Sequence, residues 1–213
     1  MSGALQAVFQ NQRSFVPPPP SVIGQAYGGG YYAGQISTAG NSVADFYLIV
    51  GPVASAQTNK QYKTSNTSDS GASSVIDGPA NSTALNDASH PAAQFCKGLT
   101  VGGYTDWYMP AQNELEVCYY NLKPDTTSNV TSSGINTNAV PSRSSAYTAG
   151  TPAQTSAAIF QTGGSQAFSS VYYWTSTQRD AYRGFQQSFS NGTQSFASKS
   201  NYINVRAIRR IAV

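Results

Sequence analysis

Four consecutive prolines, Pro17 to Pro20, constrain this chain more than any other feature. A prolyl nitrogen carries no N–H and its φ is locked, so the run fits neither a helix interior nor a sheet ladder. It reads as a stiff polyproline II spacer with a solvated backbone. The chain then divides into an arm (residues 1–16), the spacer (17–20) and a body (21–213). In the arm, Leu5, Val8 and Phe9 are apolar residues expected to dock onto another protein; the alternative is a frayed terminus packed on its own domain. The arm lacks the basic start and apolar run of a secretory signal, and no stretch reaches the ~20 apolar residues of a membrane helix. The expectation is a protein assembled in the cytoplasm, with no membrane insertion.

The surface chemistry of the body is neutral. Charged residues make up 10% of the chain against a usual ~25%, so solubility must come from Ser, Thr, Asn, Gln, Gly and the 14 tyrosines. Tyr offers large contact area at low entropy cost while the small polar residues adapt their hydrogen bonds, a mixture typical of recognition surfaces. A β-rich extracellular protein with no ligand shares this composition. Net charge is +3, but apart from Arg206, Arg209 and Arg210 the basic residues are scattered, so nucleic acid is not an expected partner. Cys96 and Cys118 are expected as buried free thiols, with a disulfide as the alternative. One histidine, His90, and two separated cysteines give no zinc spacing; the oxygen-rich loop Asn66 to Asp69 could hold calcium, yet it lacks an acidic cluster. No cofactor or metal is expected.

Along the body, Gly28-Gly29-Gly30 makes a tight connection into a short strand from Tyr31, with Ala44 to Pro52 as its hairpin partner. Ser55 to Ser82 shows neither helical nor strand period and reads as a long ordered surface loop. A weak helix is expected over Thr83 to Ala88, and another from Pro91 to Gly98. In Pro110 to Lys123, the residues Leu115, Cys118, Tyr119 and Leu122 fall at i, i+3, i+4, i+7, one buried face of a helix. A further short helix is expected over Pro152 to Gln161. Near the end, alternation up to Asn191-Gly192 signals a two-residue hairpin that pairs 189 with 194 and 187 with 196, putting Phe185, Phe189 and Phe196 on one face. The stretch Asn201 to Val213 reads as one final strand.

Three motifs occur in order: GGYTDWYMPAQNEL (Gly102 to Leu115), YYWTST (Tyr172 to Thr177) and VRAIRR (Val205 to Arg210). Together they resemble the C-terminal domain family of Legionella collagen-like adhesins over roughly residues 95–213, and the opening IGQAYGGGYYAGQI looks like phage-encoded members of that group. The resemblance implies an α+β, C-type-lectin-like fold of short helices, antiparallel strands and long ordered loops. It also implies a virion protein, a tail-fibre or fibre-tip adhesin meeting a host surface glycan or protein, with the arm held by other virion structural proteins. The protein would then be assembled in the host cytoplasm and released on the particle. Phage fibres are usually trimers, so a homotrimer is the assembly implied, although residues 1–16 show no sustained heptad. The alternative is a structural decoration or fibre component with no receptor role. Two departures from the family pattern stand out. Tyr108-Met109 replaces Arg-Leu beside Trp107, and Ala111 stands where Thr would cap the next helix, a loss of about 1 kcal/mol.

Trp107, Trp174 and Arg206 read as scaffold, large side chains filling and satisfying a small core. The resemblance points to residues 178–204 as the displayed face. Within it, Arg179, Asp180, Tyr182, Arg183, Gln187, Gln194, Lys199 and Tyr202 are the candidate receptor contacts, since binding hot spots favour Tyr and Arg. The bland reading is half-buried strand tyrosines and a solvated basic rim. An enzyme is not expected. Glycan hydrolysis needs two carboxylates ~5–10 Å apart, and the one close acidic group, Asp106, Glu114 and Glu116, divides between a turn and two helix faces. No nucleophile elbow accompanies His90.

Overall fold

The last thirteen residues serve two sheets, and that exchange organises the architecture. The computed structural model describes residues 19–213, so the docking residues Leu5, Val8 and Phe9, with Pro17 and Pro18, lie outside the described residues. Pro19 is exposed, whereas Pro20 is buried and already belongs to the packed body.

The first sheet has the order β1-β2-β3-β9, all antiparallel: β1 Ala26–Tyr27, β2 Gly30–Ile36, β3 Phe46–Val50 and β9 Ile208–Ala212. Tyr27 pairs with Gly30 across Gly28 and Gly29, at φ 56° and 83°. Positive φ at both central residues is what a type I′ turn requires. The second sheet has the order β4-β8-β5-β6-β7: β4 Gln57–Gln61, β8 Tyr202–Arg206, β5 Tyr172–Gln178, β6 Arg183–Ser188 and β7 Gln194–Ser198. Its pairs are antiparallel except β5 with β8. Helices α1 Val53–Ala56, α2 Gly78–Ala84, α3 Pro91–Lys97 and α4 Gln112–Leu122 complete an α+β fold.

Two chain segments change sheet side by side. β3 leads through α1 to β4, and β8 leads through Ala207 to β9. The crossing is closed by the Gly51 N–H donating to the Ala207 carbonyl (2.9 Å) and the Ala207 N–H donating to the Ala56 carbonyl (2.8 Å). The single final strand expected over Asn201 to Val213 is therefore two strands. Val205 and Ala207 are buried in one core cluster, with Ile203 and Ile211 packed against it, whereas Ile208 is buried in the other, so the strict alternation of inward residues breaks between Ala207 and Ile208.

The three ordered motifs meet at this crossing. Tyr108 and Ile208 exchange backbone hydrogen bonds (2.9 and 3.0 Å), and the Ser176 N–H donates to the Pro110 carbonyl (2.7 Å). Arg209 grips Asp106 with two hydrogen bonds (2.7 and 2.8 Å), and Arg210 Nε donates to Glu114 (2.6 Å). Two of the three arginines of the basic C-terminal cluster, Arg209 and Arg210, are thus spent on internal ion pairs. Glu114 also accepts from the Tyr108 hydroxyl (2.6 Å) and the Ala111 N–H (2.7 Å). Arg210 supplies from the far end of the chain a cation for this corner, where the sequence next to Trp107 carries none. Ala111 offers no side-chain cap, but Thr177 Oγ1 accepts from the Gln112 N–H (3.0 Å) and the Val75 carbonyl from the Asn113 N–H (2.8 Å). The expected capping loss is offset by tertiary acceptors.

Leu115, Cys118, Tyr119 and Leu122 are buried as their spacing requires, against a stack in which the Phe168 and Phe189 rings lie 3.9 Å apart. Both cysteines are free and buried. Four local expectations are corrected. Ser55 to Ser82 is not a surface loop throughout: it contains β4 and most of α2, and Tyr62 and Ala72 are buried. The polar strand β4 and Tyr62 gave no sign of this because their partners lie more than 100 residues away, β4 pairing with β8 and the Tyr62 hydroxyl donating to the Ser176 carbonyl. The weak helix begins at Gly78 and ends at Ala84. Over Pro152 to Gln161 only the single 3-10 turn Ala158–Phe160 forms. The β6–β7 hairpin pairs Gln187 with Gln194 and Phe185 with Phe196, so Phe189 leaves the strand. Stacking Phe189 into the core ends the ladder early, and the connection spans Phe189 to Thr193.

Candidate functional site

The structure separates the eight candidate contacts of 178–204 into four environments. At the open end of the β6–β7 hairpin, Asp180 Oδ1 accepts from the Tyr182 and Arg183 N–H groups (both 2.9 Å), and Arg183 Nε donates to Asp180 Oδ2 (2.8 Å). Hydrogen bonding from Arg183 holds the Asp180 carboxyl below its usual range. The guanidinium of Arg179 lies 3.3 Å from the Phe196 ring centroid and that of Arg183 lies 4.6 Å from it. Phe196 itself is 38% exposed and Tyr182 is 64% exposed. β7 is an edge strand, so this patch of two guanidinium groups, one carboxylate and two aromatic rings faces solvent. Hydrogen bonds to Asp180 and stacking on Phe196 orient the two arginines in advance, which lowers the entropy lost when a partner binds.

Two expected contacts are buried and do not belong to a display surface. Gln187 is 1% exposed, and its Nε2 donates to the Gly192 carbonyl (2.8 Å), closing the hairpin connection. Lys199 is fully buried. Its ammonium donates to Asp69 Oδ2 (2.7 Å), Gln178 Oε1 (2.8 Å) and the Thr67 carbonyl (2.8 Å). Asp69 also meets Lys63 and His90, and His90 reaches Asp87 (2.8 Å) through its other ring nitrogen. Burial pushes the Asp69 carboxyl up, but hydrogen bonds from Lys199, Lys63 and His90 outweigh it and hold the group below its usual value. The Asn66 to Asp69 loop is therefore cross-linked by cations, and Asp69 has no free face for calcium.

Gln194 is half-buried, its Oε1 accepting from the Gly134 N–H (3.1 Å). Tyr202 is 69% exposed and lies elsewhere, in a groove of about 420 Å³ with Asn59, Val171, Tyr172 and Asn204. Sequence reasoning missed Phe196, whose alternation with Phe185 suggested the core face. It also missed the groove, whose walls come from three segments.

Trp107 and Trp174 are fully buried, each indole N–H donating to a backbone carbonyl, Val101 and Lys60 respectively. Arg206, 1% exposed, donates to the Gly51 carbonyl (2.9 Å) and the Gln166 carbonyl (2.8 Å) beneath Phe168. Glu114 and Glu116 are fully buried in separate networks. Glu116 accepts from Asn136 (2.5 Å), the Tyr147 hydroxyl (2.7 Å) and Arg143. Burial raises both carboxyls despite their arginine partners. Among the described residues no group of three or more His, Cys, Asp or Glu is arranged to hold a metal, and no helix is long and apolar enough to cross a membrane.

The Lcl C-terminal domain family matches this chain over residues 57–209. The match begins at β4, well before residue 95, and so takes in the Asp69 loop. Among solved structures, a fimbrial protein from Bacteroides ovatus ATCC 8483 is similar at 15% identity, over 80% of this chain and 36% of that one, with a TM-score of 0.41. No curated protein matches.

Proposed function

Because the chain belongs to the Lcl C-terminal domain family, an adhesin-like domain, we propose that it is the receptor-binding module of a bacteriophage tail fibre or fibre tip. The partner is a host surface glycan or protein, and residues 1–16 attach the module to other virion proteins. The C-type-lectin-like description of its α+β fold is part of the same proposal. The observation that carries the reading is the patch of Arg179, Arg183 and Phe196 beside Tyr182, ordered before any partner arrives and set on an edge strand. A non-enzymatic role is supported by the acidic residues: Glu114 and Glu116 are sealed from water with both oxygens hydrogen-bonded, and Asp69 and Asp106 are paired with cations.

Phage adsorption to host cells tests this. Arg183→Ala and Phe196→Ala should each weaken receptor binding by about 2 kcal/mol, as hot-spot truncation does, while the protein still assembles on particles. Unchanged adsorption by both variants, with loss of the protein from particles on deleting residues 1–16, would replace the receptor reading with that of a structural decoration.

A further inference from the structure

The groove that holds Tyr202 has a chemistry unlike that of the arginine patch. Its flanks include Tyr172, 38% exposed, and Tyr202, 69% exposed, with Val171 and Ser169 nearby. On its surface two asparagines from different strands pair, Asn59 Nδ2 donating to Asn204 Oδ1 at 2.9 Å. That bond uses one donor and one acceptor. It leaves Asn59 Oδ1 as an acceptor and the Asn204 amide as a donor, neither with a further partner among the described residues. Exchanging the oxygen and nitrogen of both amides leaves the same complement. Among the described residues no charged side chain lines the groove.

We propose that this groove is a saccharide subsite for an uncharged pyranose, distinct from the arginine patch. Adjacent hydroxyls of a pyranose act as one donor and one acceptor, which the free oxygen and free N–H of the amide pair complement. The apolar C–H face of the same ring packs against a tyrosine, whose hydroxyl end stays in water. An anionic sugar would lose hydration in the groove with no cation there to compensate. The volume, about 420 Å³, lies within the range of small-ligand sites and suits one or two sugar rings. The neutral lining also says why Tyr202 stands apart from Tyr182 although both lie in the segment 178–204: one belongs to a carbohydrate-type surface, the other to a cationic one.

The proposal stands whether or not the arginine patch meets a host receptor, and its test uses purified full-length protein. Saturation-transfer NMR and calorimetry with a panel of uncharged methyl pyranosides and disaccharides should find binding with Kd on the order of 1 mM. Tyr202→Ala and Asn204→Ala should each weaken it roughly tenfold or more, Tyr202→Phe should retain it, and Arg183→Ala should leave it unchanged. Tyr202 is exposed enough that its truncation does not threaten the fold, which thermal melting would check. Absence of binding to every uncharged sugar overturns the proposal. So does binding confined to sulfated sugars, or binding lost in Arg183→Ala and kept in Tyr202→Ala; the last two results would assign glycan recognition to the hairpin patch instead.

Discussion

Asp180 and Asp69 are both carboxylates held by basic residues of the segment 178–204, yet they do opposite things. Asp180 lies at the surface, 32% exposed, and aligns Arg183 and Arg179 over Phe196. Its ion pairs cost little to break because water and salt screen them. Asp69 is 3% exposed and meets the ammonium groups of Lys199 and Lys63 and the His90 ring. There the same residue types serve as a cross-link, tying the 62–77 loop to the second sheet, since Gln178 exchanges hydrogen bonds with the Asp69 backbone (2.7 and 2.9 Å). Residue identity alone does not separate a recognition contact from a structural one. Solvent access does, because it sets both the electrostatic strength of the pair and its availability to a partner.

The comparison can be broken most forcefully at Asp69. Asp69→Ala leaves buried cations without a counter-charge, and unfolding in denaturant should show a loss of about 3–5 kcal/mol, typical of breaking a buried pair. A loss no larger than that of a surface substitution would dissolve the distinction. Acid titration sharpens it. The Asp69 carboxyl is held below its unfolded value of about 3.9, so its contribution is complete above that pH and disappears as pH falls through the folded value. The stability gap between the native protein and Asp69→Asn should therefore shrink below about pH 4. Glu114 and Glu116 act in the other sense: burial raises their carboxyls, so the folded state gains relative stability as they protonate. Comparing native protein with Asp69→Asn cancels this opposing contribution. The smallest effect belongs to Asp180→Ala, which should leave the denaturant midpoint nearly unchanged because water and salt already screen its ion pairs. Adsorption should fall with it, because the arginines lose the carboxylate that orders them.

Legibility in the sequence followed the range of the interaction. The helix Gln112–Leu122 was readable from four apolar residues at helical spacing, and the β2–β3 hairpin from an apolar run stopped by Gly51-Pro52. The three motifs were readable as a set because each is itself a contiguous segment. β4 was not, since Gln57–Gln61 is entirely polar and becomes a strand only by pairing with β8, more than 140 residues later. The early end of the final hairpin was equally hidden, for it depends on Phe189 stacking against Phe168.

For the candidate site the division is the same. The sequence by itself determined a neutral, tyrosine-rich chain, the order of the motifs, and a C-terminal segment supplied with Arg and Tyr. Tertiary structure decided which of those residues meet solvent. It buried Lys199 against Asp69 and Gln187 inside the hairpin connection, exposed Phe196 beneath two arginines, and placed Tyr202 beside Tyr172 in a groove. The physical reason is that a side chain's role depends on its partners and its access to water. For each of these residues the deciding neighbour is brought in by folding, across a turn, a strand pair or a far segment of the chain.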